Sequence, residues 1–287
     1  MFFHKSVLFQ EVLRELEVKK GAEYIDATLG GGGHTKGLLD ADAVVLGIDQ
    51  DREAREFVQK SLGEYQNLTV KEGNFRDIVE IAGSEFGKVS GILFDLGVSS
   101  YQLDSEGRGF SIRRDEKLDM RMNTGQVLSA FDVVNTYSED ALSDIFLRYG
   151  EEEKAELVAK KIIEERKKEE IRTTGRLAEI IETVIRKNGK IHPATKIFQA
   201  LRIEVNDEMT ALKKGLSGAL SLLAPEARLV VISFHSLEDR IIKRTFDDWE
   251  ENGLGTTITK KPITAGIDEV RSNPRARSAK LRTFKKT

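Results

Sequence analysis

The chain has 287 residues and a net charge of −3 at pH 7, with 39% apolar residues and no cysteine. That length suits one large or two modest domains with a real core, while the absent thiols exclude disulfides and thiolate metal sites. The charge argues against a wholesale nucleic-acid binder, and no apolar run approaches the ~20 residues of a membrane span.

The start, residues 1–11, carries Lys5 and Glu11 around short apolar pieces and does not read as a signal peptide. A cytoplasmic protein without membrane contact is the expectation. Its four histidines, His4, His34, His192 and His235, show no metal-ligand spacing, so no metal is expected.

The first strand candidate is the apolar stub Tyr24-Ile25, which runs into Asp26-Ala-Thr-Leu-Gly-Gly-Gly-Gly-His34. A second apolar run, Val44 to Ile48, ends on Asp49, nineteen residues past Gly30. A strand, a glycine turn, a helix and a second strand tipped by a carboxylate make a nucleoside-binding half of a doubly wound sheet. A dinucleotide fingerprint needs glycine at its first, third and sixth positions. Counted from Gly30 the sixth position is Thr35, and counted from Gly31 it is Lys36. A nicotinamide or flavin cofactor is therefore disfavoured. Asp26, Thr28, Gly30 and Gly32 instead follow the acid-x-small-x-Gly-x-Gly pattern of S-adenosylmethionine methyltransferases. That donor has no pyrophosphate, and glycine lets open backbone approach it closely. Asp49 is expected to accept hydrogen bonds from both ribose hydroxyls, with Asp51 as the second candidate.

Further strands are expected at 68–71, 89–95 and 229–234, each short, apolar and bounded by glycine or charge. Segments 256–260 and 279–284 are expected to close the sheet as an antiparallel hairpin. From Asp95 to Leu229 the gap is 134 residues, too many for one crossover. The gap has helical periodicity. Ser138 caps a helix with Leu142, Ile145, Phe146 and Tyr149 on one face, stopped by Gly150. Ala155, Val158, Ala159, Ile162 and Ile163 repeat the stripe, as do Leu177, Ile180, Ile181, Val184 and Ile185. Pro193 opens a fourth helix with Ile197, Phe198 and Leu201 inward. Asn206 is expected to cap a helix carrying Leu212, Leu216, Leu220 and Leu223, which leads into the strand at Leu229. The expected organisation is an α/β, Rossmann-like class I methyltransferase domain over 1–105 and 206–287, with an all-helical insertion over 106–205.

In such sheets, ligands sit beyond the carboxyl ends of the strands. Four groups fall there: Asp26 with the glycines, Asp49, Gly73-Asn74-Phe75, and Asp95-Leu-Gly-Val-Ser-Ser100. Phe75 is either a lid on an adenine ring or a core aromatic. Asp95 is the candidate catalytic group. An exocyclic amine is a poor nucleophile because its lone pair is delocalised into the ring. A hydrogen-bond acceptor for its N–H groups favours a pyramidal nitrogen and aims the lone pair, so catalysis is mostly orientation and electrostatics. The Asp/Asn/Ser-Pro-Pro-aromatic signature usual at this position is absent.

Eight segments together resemble the bacterial 16S ribosomal RNA cytosine-N4 methyltransferase family. They are Gly31-Gly-Gly-His34, Asp95 to Ser100, Gln102-Leu-Asp104, Arg108-Gly-Phe-Ser111, Leu118-Asp-Met-Arg-Met122, Phe198 to Asn206, Ser233-Phe-His-Ser-Leu-Glu-Asp-Arg240 and Asn273 to Arg282. The resemblance spans essentially the whole chain. It implies N4-methylation of a cytosine in the decoding region of 16S ribosomal RNA within the small subunit. It also implies S-adenosyl-L-methionine as donor, leaving as S-adenosylhomocysteine. Carried over by position, donor contacts fall on Gly32, Gly33, His34, Asp49, Phe75, Asp95 and Gln102. Tyr101 departs from the family, where many members have proline. An amino-methyltransferase for DNA or a small molecule, and a non-catalytic RNA-binding assembly factor, are the alternatives, and both a monomer and a homodimer remain open.

Two basic groups are candidates for RNA phosphates. Arg108, Arg113, Arg114 and Arg121 follow the fourth strand. Residues 260–287 hold nine Lys or Arg against Asp268 and Glu269, a net of +7, with Arg275, Arg277, Lys280 and Arg282 as the expected contacts. His235 either lines a base pocket or is a buried, hydrogen-bonded histidine.

Overall fold

Strands β1 (Glu23–Asp26), β2 (Val44–Asp49), β3 (Leu68–Glu72), β4 (Val89–Asp95), β5 (Leu223–Ser233), β6 (Gly255–Thr257) and β7 (Lys280–Lys286) build one sheet. Its order is β3-β2-β1-β4-β5-β7-β6. This computed structural model describes residues 6–98, 107–186 and 192–287. The four pairings that run from β3 to β5 are parallel, whereas β7 lies antiparallel to both β5 and β6. This is the Rossmann-like sheet of class I methyltransferases. Strand order reverses between β1 and β4, which opens a crevice at their carboxyl ends.

The sheet is covered on both faces, so its strands are apolar throughout rather than alternating with polar residues. Val45, Leu93, Val230 and Ile232 point to one face, against Val12, Leu16, Leu38, Val58 and Leu62. These last come from helices α1 (Phe9–Leu16), α2 (Gly33–Asp40) and α3 (Arg52–Leu62). Leu46, Ile48, Ile92, Phe94, Leu229 and Val231 point to the other face. There they meet α4 (Ile78–Ala82), then α10 (Glu208–Leu222) through Leu212 and Leu216, and α11 (Ser236–Glu251) through Ile242 and Phe246. A short α12 (Ile267–Ser272) precedes β7.

The contacts divide the chain into two units, Met1–Ser99 with Met209–Thr287, and Ser100–Glu208. In the second unit lie α5 (Ala130–Thr136), α6 (Glu139–Arg148), α7 (Ala155–Arg166), α8 (Thr174–Val184) and α9 (Thr195–Asn206). Ser138 caps α6 by accepting the Ala141 N–H at 3.2 Å. Leu142, Ile145, Phe146, Val158, Ile162, Leu177, Ile181, Ile197 and Leu201 are all buried, as the helical stripes require. Among the described residues, no helix is long and apolar enough to cross a membrane.

Two boundaries differ from expectation. Asn206 does not cap α10; it is the last residue of α9. Its Oδ1 accepts the Met122 N–H at 2.8 Å, and its Nδ2 donates to the carbonyls of Met120 and Arg202. The side chain thus staples an irregular segment, a demand no local pattern reveals. In addition, β5 begins at Leu223, where helix was expected. Leu223 pairs with Val89 and the ladder then shifts register before Gly91 meets Arg228. Pro225, which cannot donate a helical hydrogen bond, stands just past the switch.

Candidate donor and acceptor site

The turn after β1 is held from below. Asp26 is 1% exposed. Its Oδ2 accepts the Thr35 hydroxyl at 2.7 Å and its Oδ1 accepts the Thr28 N–H at 3.2 Å. Burial pushes its carboxyl up from the ordinary carboxylate range. The acid of the first motif is therefore a post that ties the loop to α2, not a group presented to a ligand.

Above it the backbone lies open. Gly32 caps α2 at φ 74, with no side-chain cap bond and no acid in the first turn. A Cβ on Gly32 would stand 2.9 Å from Val58 Cγ2 and 3.1 Å from Leu62 Cδ1, so this glycine is needed for packing against α3. A Cβ on Gly31 would meet nothing within 4 Å among the described residues. Gly31 also lacks a positive φ. The folded protein alone gives no reason for glycine there.

Asp49 closes the turn from β2. Its Oδ2 accepts the Gly30 N–H at 2.8 Å and its Oδ1 the Asp51 N–H at 2.8 Å. Burial pushes its carboxyl up to about 6, and the two N–H donors only partly offset this. Each oxygen keeps a lone pair for a further donor. Asp51 is committed elsewhere: it caps α3 and accepts the Glu53 N–H at 3.0 Å. Between the two candidates, then, Asp49 has the free capacity. Arg55 donates to the Asp49 carbonyl at 3.0 Å and also pairs with Glu72, which joins the tips of β2 and β3.

At the tip of β3, Asn74 donates to Gln50 at 2.9 Å and accepts the Arg76 N–H. Phe75 sits edge-on to Phe94, with ring centroids 5.3 Å apart, and its edge approaches Gly215, where a Cβ would be 2.7 Å away. One side of the half-buried ring is thus core and the rest is accessible, so the two alternatives for Phe75 are compatible.

Asp95 ends β4. Its N–H donates to the Thr28 hydroxyl at 2.6 Å. Its side chain is 25% exposed, and Oδ2 lies 3.5 Å from His34 Nε2. Asp95 Oδ1 and both His34 ring nitrogens are buried without a hydrogen-bond partner among the described residues. Gly32, Gly33, His34, Asp49, Phe75 and Asp95 all lie at the carboxyl ends of neighbouring strands or on the turn above them. Gln102 lies outside the described residues, as do Ser99 and Ser100. Phe9 was missed in the sequence, and Thr28 was named there only as part of the first motif, without its bond to Asp95. Thr28 ties β1 to β4, and Phe9 stacks beside His34. Only Thr28 carried a local signal, as the small residue of the first motif.

At the end of β5, His235 caps α11. Its Nδ1 accepts the Glu238 N–H at 3.4 Å, and Glu238 Oε2 accepts the Phe234 and His235 N–H groups. This capping box favours the hydrogen-bonded alternative for His235.

The basic candidates separate by their partners. Arg282 is 5% exposed, and its Nε donates to Asp239 at 2.7 Å. Lys280 pairs with the same carboxylate at 2.9 Å. Burial alone would raise the Asp239 carboxyl, but these two cations hold it below its ordinary range. Arg282 is thus an internal ion pair, contrary to its expected phosphate contact, and Lys280 is half committed. Arg108 is 7% exposed and donates to the Arg121 and Met122 carbonyls. Arg121 grips Asp119 with two bonds and the Gln126 carbonyl with a third. Arg114 pairs with Glu116 at 3.0 Å. These three arginines organise their own segment, which corrects the expectation of free cations there. Arg113 and Arg277 are exposed; Arg275 is half-buried on the same short 3-10 turn as Arg277.

A family model described as the MraW methylase family matches residues 1–287. The chain is similar to ribosomal RNA small subunit methyltransferase H of Coprothermobacter proteolyticus, with 43% identity covering 99% of this chain and 96% of the relative. The protein of the same name from Persephonella marina is 46% identical over all of both chains. That from Deinococcus deserti is 49% identical, covering 97% of this chain and 92% of the relative.

Proposed function

The chain belongs to the MraW methylase family, and we propose that it transfers a methyl group from S-adenosylmethionine to the exocyclic N4 of a cytosine in the decoding region of 16S ribosomal RNA. The observation that carries this is the pair of carboxylates that end β2 and β4, the strands on either side of β1. Asp49 grips the Gly30 N–H with capacity to spare, while Asp95 keeps a buried oxygen without a partner among the described residues. The first suits a ribose and the second suits an amine.

The donor fits the residues present. Asp49 would take the ribose hydroxyls, Phe75 a face of the adenine, and the open backbone at Gly31 to Gly33 the methionine moiety. When bound, the donor supplies an electrophilic sulfonium methyl and leaves as S-adenosylhomocysteine. Asp95 Oδ1 accepts an N–H of the cytosine amine and so directs the nitrogen lone pair. It also faces the positive charge that arrives on N4. No strong base is required, because the methylated amine sheds its extra proton readily. The target base must be unstacked to reach this crevice, and an already looped base costs less to extrude. We take the cytoplasm as the setting and the small subunit as the substrate form.

Incubation with labelled donor and small ribosomal subunits, followed by nucleoside analysis, tests the activity. N4-methylcytidine is the expected product. Better labelling of DNA or a small amine would favour the alternative acceptors, and absence of transfer would favour a binding factor.

The glycines give a paired test. Gly32→Ala forces a left-handed residue against buried Val58 and is expected to cost about 1–3 kcal/mol of stability. Gly31→Ala is expected to leave stability within about 0.5 kcal/mol yet weaken donor binding, since its methyl enters the space left for the ligand. Thermal melts and donor calorimetry on both variants check this. A Gly31→Ala protein that binds donor like wild type would remove the loop from the site.

For RNA, Arg275 and Arg277 remain the tail contacts. Replacing both by alanine should reduce the slope of log affinity against log salt by about one unit per lost phosphate contact. Arg282→Ala should instead lower the melting temperature, because it removes the more buried of the two cations that pair with the Asp239 carboxylate. Equal salt slopes for the double variant and wild type would refute the tail assignment.

A further inference from the structure

We propose that the His34 side chain is a positioning residue for methyl transfer, holding Asp95 Oδ2 so that Oδ1 stays aimed at the acceptor amine. The proposal rests on the activity assigned above. It concerns the imidazole itself rather than the backbone of the glycine turn.

His34 is the second residue of α2 and is 5% exposed. Neither ring nitrogen has a hydrogen-bond partner among the described residues. Folded proteins seldom keep a buried polar group in that state, because it loses water and gains nothing. A leucine would fill similar space without that cost. The ring therefore has a use that packing does not explain. Its Nε2 faces Asp95 Oδ2 across 3.5 Å. That is just beyond a good hydrogen bond, and a small rotation of either side chain would close it.

Two features hold the pair in place. The Phe9 ring lies stacked beside the imidazole, with centroids 6.0 Å apart and planes 18° from parallel. Phe9 is itself held close against Gly37, where a Cβ would come within 2.6 Å of it. The Asp95 backbone is fixed through its N–H to the Thr28 hydroxyl. The main-chain position of Asp95 is thus set from the turn after β1, while His34 Nε2 is the side-chain group placed beside its carboxylate among the described residues. With one oxygen held by Nε2–H, the other keeps its lone pairs for the amine N–H.

Four proteins test this: His34→Leu, His34→Gln, Asp95→Asn and the Leu/Asn double variant. Each is measured for thermal unfolding, donor affinity by calorimetry, and kcat and KM with small ribosomal subunits. His34→Leu should melt at or above the wild-type temperature and bind donor within about threefold of wild type, yet lose about 100-fold in kcat through misplacement of Asp95. His34→Gln, whose amide nitrogen reaches about as far as Nε2, should recover most of that loss. In the Asp95→Asn background, His34→Leu should add little, since the two act as one unit. If His34→Leu does not fold, His34→Met supplies the apolar arm. Unchanged kcat in the apolar variant, a loss confined to donor affinity, or a glutamine variant as damaged as the leucine one would each overturn the proposal. Absence of donor binding and transfer in the wild-type protein would instead overturn the activity it rests on.

Discussion

Asp49→Ala is expected to weaken donor binding by about 10²–10³-fold, because a carboxylate that hydrogen-bonds both loop and ligand is removed from a desolvated position. The loss has two origins. The ribose hydroxyls lose their acceptor, and the Gly30 and Asp51 N–H groups lose the oxygens that shape the turn. Asp49→Asn separates them, since its single carbonyl can satisfy one of the two N–H groups at most. The same carboxyl makes binding depend on pH. Its folded value of about 6 lies above the ordinary 3.8 because burial penalises the charge. Between those values the folded protein holds more protons than the unfolded chain, so this group's contribution to stability is present at low pH and lost as pH rises through about 6. Hydroxyl donors favour the ionised form, so donor binding releases a proton below pH 6. Affinity should therefore fall about tenfold for each pH unit below 6. Calorimetry across pH 5 to 8, in buffers of different ionisation enthalpy, reads both effects. A flat profile in the wild type would separate Asp49 from the ribose.

The second large effect is at β4. Asp95→Asn preserves size and the backbone bond to Thr28 but replaces one acceptor oxygen with a donor. Methyl transfer should fall by about 10²–10³-fold, the scale seen when one preorganised hydrogen bond to a developing charge is lost. Donor affinity should change by less than about tenfold if Asp95 serves mainly the acceptor. Single-turnover transfer from a preformed donor complex separates chemistry from binding. A variant that loses only donor affinity would make Asp95 a donor ligand and move catalysis elsewhere.

The parallel half of the sheet was legible because each strand is an apolar run that ends on a polar residue. Val44 to Asp49 and Val89 to Asp95 are matched residue for residue. The glycine turn was legible too, since four consecutive glycines have few other uses. What failed was the assignment of roles that depend on orientation. Arg108 and Arg282 looked like surface cations, yet both point inward to partners that lie 13 or more residues away. Asn206 looked like a helix cap because asparagine followed by two acids is a good start signal; its partners, Met120 and Met122, lie 84 or more residues earlier. Asp26 and Asp49 both stand at strand ends in the sequence, and only Asp49 was expected to bind the ribose. They differ because the Thr35 hydroxyl turns one inward. His34 was reached only through family resemblance, since one histidine after a glycine turn gives no local sign of its burial beside Asp95.

The antiparallel strand β7 sits between β5 and β6 in the sheet. Until residues 280–286 leave the ribosome, one long edge of β5 has no neighbour. The 100–208 unit, by contrast, is a continuous stretch that is already complete by then. A nascent chain would thus carry a finished helical unit beside an unfinished sheet with an open, apolar margin. Such a margin invites pairing with other chains. Chaperone capture during synthesis should therefore concentrate on lengths between about 233 and 280, and fall away once β7 is in place.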